Sequence, residues 1–391
     1  STRVRSSAAS DVYKRQAQTC AGRTAVVIPA YKPDDRLPPY VQALKDAGIG
    51  RIVVVDDGSG QDYQRFFDQI PRDGVSHVIS YQPNCGKGVA LKRGMAWLMD
   101  NSPDQDIIVT ADSDGQHTVE DVLRMAQDLA RDPSGLLLGS RDFSQEHVPP
   151  KSRMGNRITS VVFKLLYGCW VGDTQTGLRG FHRDLLPAMI AVPGDRYEYE
   201  MSVLIDCAAM KVPMRPLPIE TVYENNNEGS HFRAFRDSAR IYRVIFSGFF
   251  RFVGTSMVSF LVDYGLYLLF NNLLKYFGTS LDQEVGVLFI RVVPHILIAT
   301  VAARLLSGVT NFFLNRSFVF TDKGKVSQAF LRYLGVFFLV MLLSALLTSS
   351  LHLWLGWSDN TAKIPVDIVL FFVSYHLQRR WVFQKKPAKA G

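Results

Sequence analysis

Two aspartates, Asp112 and Asp114, stand at the end of an apolar run that begins at Ile107. Alternate side chains of an extended segment share a face, so both carboxylates can bind one hard divalent cation and leave coordination positions for phosphate oxygens and water. An isolated Asp-x-Asp is usually an acidic turn, and the motif therefore indicates a metal site only together with the rest of the chain.

Other charged residues stand at similar points of the sequence. Asp56 and Asp57 end a second apolar run, where a turn or helix N-cap explains them equally well. Lys87 lies between two glycines before a helical pattern, so its ammonium group and the nearby backbone N–H groups can face an anion, although the spacing is not that of a P-loop. Glu200 is either a general base or part of a solvated first helical turn.

Strand and helix patterns alternate around these residues. Short apolar runs predict buried strands, and longer periodic segments predict helices, which implies an α/β domain with a largely parallel, doubly wound sheet. The acids at the strand ends would then line one crevice. The predicted strands are 25–31, 51–57, 75–81, 107–111 and 136–139, and the predicted helices are 36–47, 61–70, 87–101 and 118–131.

The composition changes sharply near residue 244, so the 391-residue chain is treated as a soluble half and a membrane half. A net charge of +8 does not indicate nucleic acid, because many basic residues cluster just before or between apolar spans, where they match an anionic inner leaflet. The four cysteines are far apart and form no Cys-x-x-Cys motif. This argues against a zinc site or a disulfide framework and suits a reducing cytosol.

The second half predicts a membrane domain. Apolar spans near 252–273, 287–310, 333–355 and 362–379 each approach the ~20 residues that cross hydrocarbon. Basic residues are concentrated between the second and third spans and after the fourth, which places both termini in the cytosol. Within the spans, Asp263 and Arg304 are expected to pair, either as a structural lock or as a site for a lipid headgroup.

An amphipathic helix over 231–250 precedes these spans and should lie in the membrane interface. The spans themselves show an internal repeat. Residues 251–254 resemble 332–335 at the start of spans one and three, and 314–320 resemble 377–383 at the end of spans two and four. The repeat predicts two parallel helical hairpins.

Over roughly residues 24–245 the chain resembles the family-2 glycosyltransferases of GT-A fold, and within them the polyprenyl-phosphate enzymes related to dolichol-phosphate mannose synthase and GtrB. The resemblance rests on several short motifs in order along the chain. The membrane half resembles the GtrA-like family of four-span proteins, on shorter and less specific motifs. The motifs of the first half are 27–31, 55–59, 84–88, 112–117, 139–141 and 173–181.

The resemblance implies roles for particular residues. It implies a Mg²⁺ or Mn²⁺ ion held by Asp112, Asp114 and Gln116. The residues expected to contact the nucleotide-sugar are Pro29, Tyr31, Asp56, Asp57, Lys87 and Asp112. The residues expected at the reacting phosphates and sugar are Asp114, Arg141, Gln175, Arg179 and Glu200, with Arg141 and Arg179 facing phosphates. The candidates for the lipid phosphate are Arg153, Arg157, Arg233 and Arg236.

These expectations define one hypothesis and its rivals. The chain is expected to transfer a sugar from a nucleotide-sugar to polyprenyl phosphate at the cytosolic face of a bacterial plasma membrane, with inversion, for cell-surface glycan modification. The alternatives are a processive or hydroxyl-directed glycan synthase, and a lipid-sugar translocator whose soluble half only binds ligand. Homo-oligomerisation is left open. The expected segments are a disordered tail (1–23, partly a sequence artefact), a catalytic domain (24–230), the juxtamembrane helix (231–250) and the membrane domain with its basic tail (251–391).

Overall fold

The computed structural model describes residues 20–143, 150–220, 234–277, 285–287, 290–292, 294–320, 324–355 and 359–383. The chain divides into two compact units. The first comprises residues 1–245 with 387–391, and the second comprises residues 246–386.

A seven-stranded sheet forms the centre of the first unit as far as it is described, with strand order β3-β2-β1-β4-β6-β5-β7. Every neighbouring pair is parallel except those of β6, which is antiparallel to both β4 and β5. The predicted α/β sheet is therefore confirmed, with two strands that the sequence patterns did not predict, the reversed β6 and the parallel β7. The strands are β1 (Thr24–Ala30), β2 (Arg51–Asp57), β3 (Ser76–Tyr81), β4 (Ile107–Thr110), β5 (Leu136–Arg141), β6 (Arg179–His182) and β7 (Met214–Ile219).

Helices connect the strands and cover the sheet. Strand β1 is buried along its whole length, as expected of an apolar run covered on both faces. Gly94 lets its helix approach β1 closely, because a Cβ atom there would lie 2.5 Å from the Val27 side chain. Ala21 also belongs to this core, so the chain packs against the domain before residue 24. The helices are α1 (Leu37–Asp46), α2 (Gln64–Asp68), α3 (Lys87–Asn101), α4 (Val119–Arg131), α5 (Pro150–Tyr167), α6 (Leu186–Ala191) and α7 (Glu198–Met210).

The second unit is mainly helical. The predicted juxtamembrane helix and the first span form one continuous helix, α8 (Ala234–Phe277), whose first residues belong to the first unit. The start of the second predicted span is a strand instead, since β8 (Val285–Val287) and β9 (Ile290–Val292) form an antiparallel ribbon. The later helices are α9 (Pro294–Leu314), α10 (Val326–Leu355) and α11 (Asp359–Leu377).

Two helical segments of the described chain, Arg236–Phe277 and Val326–Ser344, are long and apolar enough to cross a membrane. The other two predicted spans correspond to α9 and α11, and their crossing stays a prediction. The predicted Asp263–Arg304 pair is confirmed, with 3.5 Å between the Arg304 Nε and an Asp263 carboxylate oxygen. Ser307 also donates a hydrogen bond to Asp263 at 2.9 Å.

The internal repeat is visible in the backbone. Helices α9 and α11 each end in a five-residue π-helical turn, Asn315–Val319 and Gln378–Val382. Each turn is closed by the same hydrogen bond, from Phe320 N–H to the Asn315 carbonyl and from Phe383 N–H to the Gln378 carbonyl. The two phenylalanine rings stack with 5.0 Å between their centroids.

Candidate active site

A cavity of about 560 Å³ lies at the carboxyl ends of β1, β2 and β4, which is the edge where parallel sheets bind ligands. Its walls come from the strand ends, the loop before α3, the segment before α7 and the first two turns of α8. The lining residues include Pro29, Tyr31, Lys32, Asp57, Asn84, Lys87, Asp112, Asp114, Arg196, Tyr197, Arg236, Asp237 and Arg240.

One wall of the cavity is organised by the buried Asp57. Its carboxylate accepts hydrogen bonds of 2.8 Å from the Tyr81 hydroxyl, the Asn84 side chain and the backbone N–H groups of Cys85 and Gly86. Burial, followed by the bond to Asp57, raises the pKa of Tyr81 above its ordinary value, so the tyrosine remains a donor. Asp57 therefore fixes the loop that leads into α3.

Lys87 is the central cation of the site. As the first residue of α3, it places its ammonium group 2.6 Å from an Asp112 carboxylate oxygen and 2.8 Å from a Glu200 carboxylate oxygen. Burial alone would lower the pKa of Lys87, but the charges of Asp112 and Glu200 outweigh this effect and raise it. The three residues come from the start of α3, the end of β4 and the start of α7, and they form one ion-paired cluster.

The two aspartates of the Asp-x-Asp motif differ in their surroundings. For Asp112, burial favours the neutral form, but the charge of Lys87 opposes it and lowers the pKa below its usual range. Asp112 N–H also donates to His117 Nδ1 at 3.0 Å. For Asp114, burial and then the charge of Asp112 raise the pKa, and these effects outweigh the opposing charge of Lys87.

The donor set of the cavity fits a divalent cation. Asp112 and Asp114 supply carboxylate oxygens, the ligands that Mg²⁺ and Mn²⁺ prefer. The negative charge of Asp112 contributes to the raised pKa of Asp114, so the two carboxylates repel each other. A bound divalent cation would reduce this repulsion. The protein offers few further ligands, since the described residues hold no group of three or more His, Cys, Asp and Glu side chains close enough to share a metal. Substrate oxygens would have to complete the coordination.

Gly177 packs directly behind Asp112. A Cβ atom at position 177 would lie 2.3 Å from an Asp112 carboxylate oxygen, so any other residue would displace that side chain. The Thr110 hydroxyl donates to the Gly177 carbonyl at 2.8 Å and joins this segment to β4. The motif over 173–181 therefore positions the aspartate, in addition to any contact with substrate.

The arginines of the predicted catalytic set do not line the cavity. Arg141 forms a two-bond ion pair with the buried Asp173, at 2.7 and 3.1 Å. Arg179 is buried and donates to the carbonyls of Thr176 and Glu200. Gln175 is exposed, and its N–H donates to Asp173. In this structure Arg141 and Arg179 hold the loop that supports Asp112 and the start of α7.

Other predicted residues are distributed around the cavity. Pro29 and Tyr31 line it, whereas Asp56 and Gln116 are not among its lining residues. Asp56 closes the turn after β2 by accepting from Ser59 N–H at 2.8 Å, and Gln116 N–H donates to Asp114 at 3.1 Å.

Among the lipid-phosphate candidates, only Arg236 lines the cavity within the described part of the chain. Arg153 and Arg157 are exposed on α5, and Arg233 lies outside the described residues. The structure adds two cationic residues to this set, Arg240 and Arg196. Arg240 follows Arg236 by one helical turn, and the sequence shows both in one stripe of arginines along α8. Arg196 is held by the Asn84 side chain at 3.2 Å.

Family models match both halves of the chain. Residues 25–189 match the model of glycosyl transferase family 2, and residues 251–383 match the model described as GtrA/DPMS, transmembrane domain. The first match agrees with a GT-A-like sheet domain, and the second with the apolar helices of the second unit.

Curated relatives resemble the first half. An uncharacterised protein of Methanocaldococcus jannaschii is 30% identical over 202 residues, covering 51% of this chain and 81% of that protein. The UDP-N-acetylglucosamine–dolichyl-phosphate N-acetylglucosaminyltransferase of Methanococcus voltae is 27% identical, covering 51% of this chain and 85% of the relative. The undecaprenyl-phosphate mannosyltransferase of Micrococcus luteus is 25% identical, covering 51% and 84%.

Solved structures also match. The glucosyl-3-phosphoglycerate synthase of Mycobacterium tuberculosis, in complex with Mn²⁺, uridine diphosphate and glucosyl-3-phosphoglycerate, is 16% identical with a TM-score of 0.43. The match covers 70% of this chain and 91% of that one.

Proposed function

This chain belongs to glycosyl transferase family 2 and carries a GtrA/DPMS transmembrane domain, and from that premise we propose that it glycosylates polyprenyl phosphate. The donor is a nucleotide-sugar, and the reaction takes place at the cytosolic face of a bacterial plasma membrane. The product is a lipid-linked monosaccharide for cell-surface glycan modification. The named relatives support this acceptor, since those of Methanococcus voltae and Micrococcus luteus act on dolichyl phosphate and undecaprenyl phosphate respectively.

The observation that carries the proposal is the charge arrangement of the cavity. The cavity is lined by the carboxylates of Asp112 and Asp114 and by the guanidinium groups of Arg196, Arg236 and Arg240. A nucleoside diphosphate brings negative charge, which a divalent cation can share with the two aspartates. A lipid monophosphate brings a second negative charge, which the lining arginines can bind. The first two turns of α8 supply Arg236 and Arg240, and the same helix continues into an apolar segment.

The position of Glu200 favours a phosphate nucleophile over a hydroxyl. A sugar hydroxyl would need a carboxylate base, but the Glu200 carboxylate is ion-paired with Lys87 at 2.8 Å and would have to give up this contact to accept a proton. A phosphate monoester has a second pKa of about 6 and is mostly dianionic at neutral pH. Such an acceptor needs no proton removed, so the processive and hydroxyl-directed alternative fits this cavity less well.

The proposed step is a single displacement. A phosphate oxygen of the lipid forms a bond to the anomeric carbon, and the bond between that carbon and the diphosphate oxygen breaks. The electron pair remains on the departing nucleoside diphosphate, and the configuration at the anomeric carbon is inverted. A bound Mg²⁺ or Mn²⁺ would supply charge stabilisation for the leaving diphosphate. Lys87 keeps Asp112 ionised, and Gly177 fixes its position.

The test uses the full chain in nanodiscs with undecaprenyl phosphate and a panel of radiolabelled nucleotide-sugars. We expect one donor to give label that extracts into organic solvent and is released by mild acid as the free monosaccharide. The Asp114→Asn variant is the matched control and should give no lipid label. Label appearing in a water-soluble polymer, or only as hydrolysed sugar, would contradict the proposal.

A further inference from the structure

A second cavity, of about 540 Å³, lies along β3. Its lining runs from Arg51 and Ser76, where β2 and β3 begin, to Ser80 near the end of β3, and it shares no lining residue with the transfer cavity. Strand β3 is the outermost strand at this side of the described sheet. The residues that matter for its chemistry are Arg51, Arg72, Ser76, His77 and Trp97.

The charge of this cavity is positive. Arg51 and Arg72 line it, and its described lining residues include no aspartate or glutamate. The pKa of His77 is lowered, first by burial and then by the charges of Arg51 and Arg72. Two lining arginines with no carboxylate among the described lining residues make the cavity cationic.

Buried hydrogen-bonding groups in this cavity lack partners within the described chain. Ser76 is 4% exposed, and its hydroxyl oxygen has no hydrogen-bond partner there. The Nε of Arg51 is also buried without one, although another nitrogen of the same guanidinium donates to the Gly74 carbonyl. Leaving a buried polar group unsatisfied costs free energy, so such groups usually meet a ligand or water.

Two stacked aromatic rings form part of the cavity wall beside these groups. The His77 and Trp97 rings stack with 4.2 Å between centroids and 13° between planes. The Arg51 guanidinium lies 5.8 Å from the Trp97 ring centroid. The stack thus orients Arg51 and leaves Trp97 in the cavity wall as a natural fluorescent reporter.

We propose that this second cavity binds a phosphate or phosphomonoester group. The guanidinium groups of Arg51 and Arg72 and the Ser76 hydroxyl offer donors, which suits a tetrahedral anion that accepts several hydrogen bonds. The site is separate from the transfer cavity and does not depend on the transferase assignment. The phosphate can come from a soluble metabolite or from a lipid headgroup.

The test follows Trp97 fluorescence of the full chain in nanodiscs of neutral lipid during titration with inorganic phosphate at constant ionic strength. Subtracting the Trp97→Phe signal isolates this residue from the other tryptophans. We expect a saturable change whose apparent Kd rises about tenfold or more in Arg72→Gln and also rises in Ser76→Ala. Arg65→Gln removes a nearby exposed charge that does not line the cavity, and it should leave the Kd unchanged.

Two further measurements complete the test, one with another variant and one with an anionic lipid. Arg240→Gln should leave the Trp97 response unchanged, which separates this site from the transfer cavity. Nanodiscs containing phosphatidic acid should produce the same Trp97 change without added phosphate if the ligand is a headgroup, and no change if it is soluble. No saturable change with either source, or equal weakening by Arg72→Gln and Arg65→Gln, would overturn the proposal.

Discussion

The side-chain amide of Asn315 donates a hydrogen bond of 3.0 Å to the side-chain oxygen of Gln378, and both residues are buried. Each is the first residue of its π-helical turn, so the bond joins equivalent positions of the two repeats. The Asn315 oxygen also accepts from the Thr255 hydroxyl at 2.6 Å. A small polar network therefore links three helices of the second unit.

We expect Gln378→Leu to lower the stability of the second unit by about 1–3 kcal/mol, because the buried Asn315 amide loses one of its two acceptors and keeps only Asn311. The double variant Asn315→Leu/Gln378→Leu should lose less than the sum of the single variants. Unfolding in detergent is measured for the unchanged protein, the two single variants and the double variant. The differences give the coupling free energy between Asn315 and Gln378. Strictly additive losses would show that the two amides do not depend on each other.

Removal of either metal-site carboxylate should abolish transfer. Asp112→Asn and Asp114→Asn each remove a charged ligand from the proposed cation site, and we expect loss of both activity and dependence on Mg²⁺ or Mn²⁺. Membrane insertion should be unchanged, which membrane fractionation checks. Full activity of both variants in chelator-treated membranes would exclude the metal assignment.

Glu200→Gln distinguishes the two acceptor classes. With a phosphate dianion as nucleophile, the variant should retain activity within about tenfold, a cost near 1.4 kcal/mol, whereas a general base is typically worth about 10²–10⁴-fold. The measurement is the initial rate with polyprenyl phosphate at saturating donor. A loss of about a thousandfold, with a hydroxyl acceptor used instead, would favour the glycan synthase alternative.

Arg240→Gln should chiefly raise the KM for the lipid acceptor, by about tenfold, since it removes one charged side chain from the lining of the transfer cavity. The matched control is Arg243→Gln, which changes an exposed arginine of the same helix that is not among the lining residues. Steady-state kinetics at varied polyprenyl phosphate compare the two. Equal increases in KM would indicate that both arginines act only through attachment to the membrane.

Single and double substitutions distinguish the two possible roles of the Asp263–Arg304 pair. If it is structural, Asp263→Asn should lower the yield of folded protein and a second change, Arg304→Gln, should partly restore it. If it guides a lipid headgroup, both single variants should fold and make lipid-linked sugar but fail to deliver it across the bilayer. Delivery is measured by accessibility of the sugar to an external probe. Normal folding and normal delivery in Asp263→Asn would rule out both roles.

Much of the fold was predictable because short apolar runs with acids at their ends have few alternative structures. The reversed strand β6 was missed because Arg179–His182 is only four residues long and contains a charged residue and a glycine. The continuous α8 was predicted as two segments because its polarity changes along its length while its helical periodicity does not.

The sequence predicted the positions of the acidic residues of the candidate site better than those of the basic residues. Asp57, Asp112 and Asp114 follow strands in the sequence, and strand ends meet at one edge of the sheet. The surroundings of Arg141 and Arg179 depend instead on Asp173 and on carbonyls far along the chain, contacts that no local pattern encodes. Arg196 reaches the cavity from the loop before α7 for the same reason.

The carboxylate of Asp57 determines how the cavity wall that it organises can open locally. It accepts from Tyr81, Asn84, Cys85 and Gly86, so a displacement of this one side chain removes an acceptor from all four groups at once. Local opening in proteins proceeds in cooperative units. The amide protons of Cys85 and Gly86 should therefore exchange with solvent together, and this wall of the cavity should open in one concerted event, without a series of partly frayed forms.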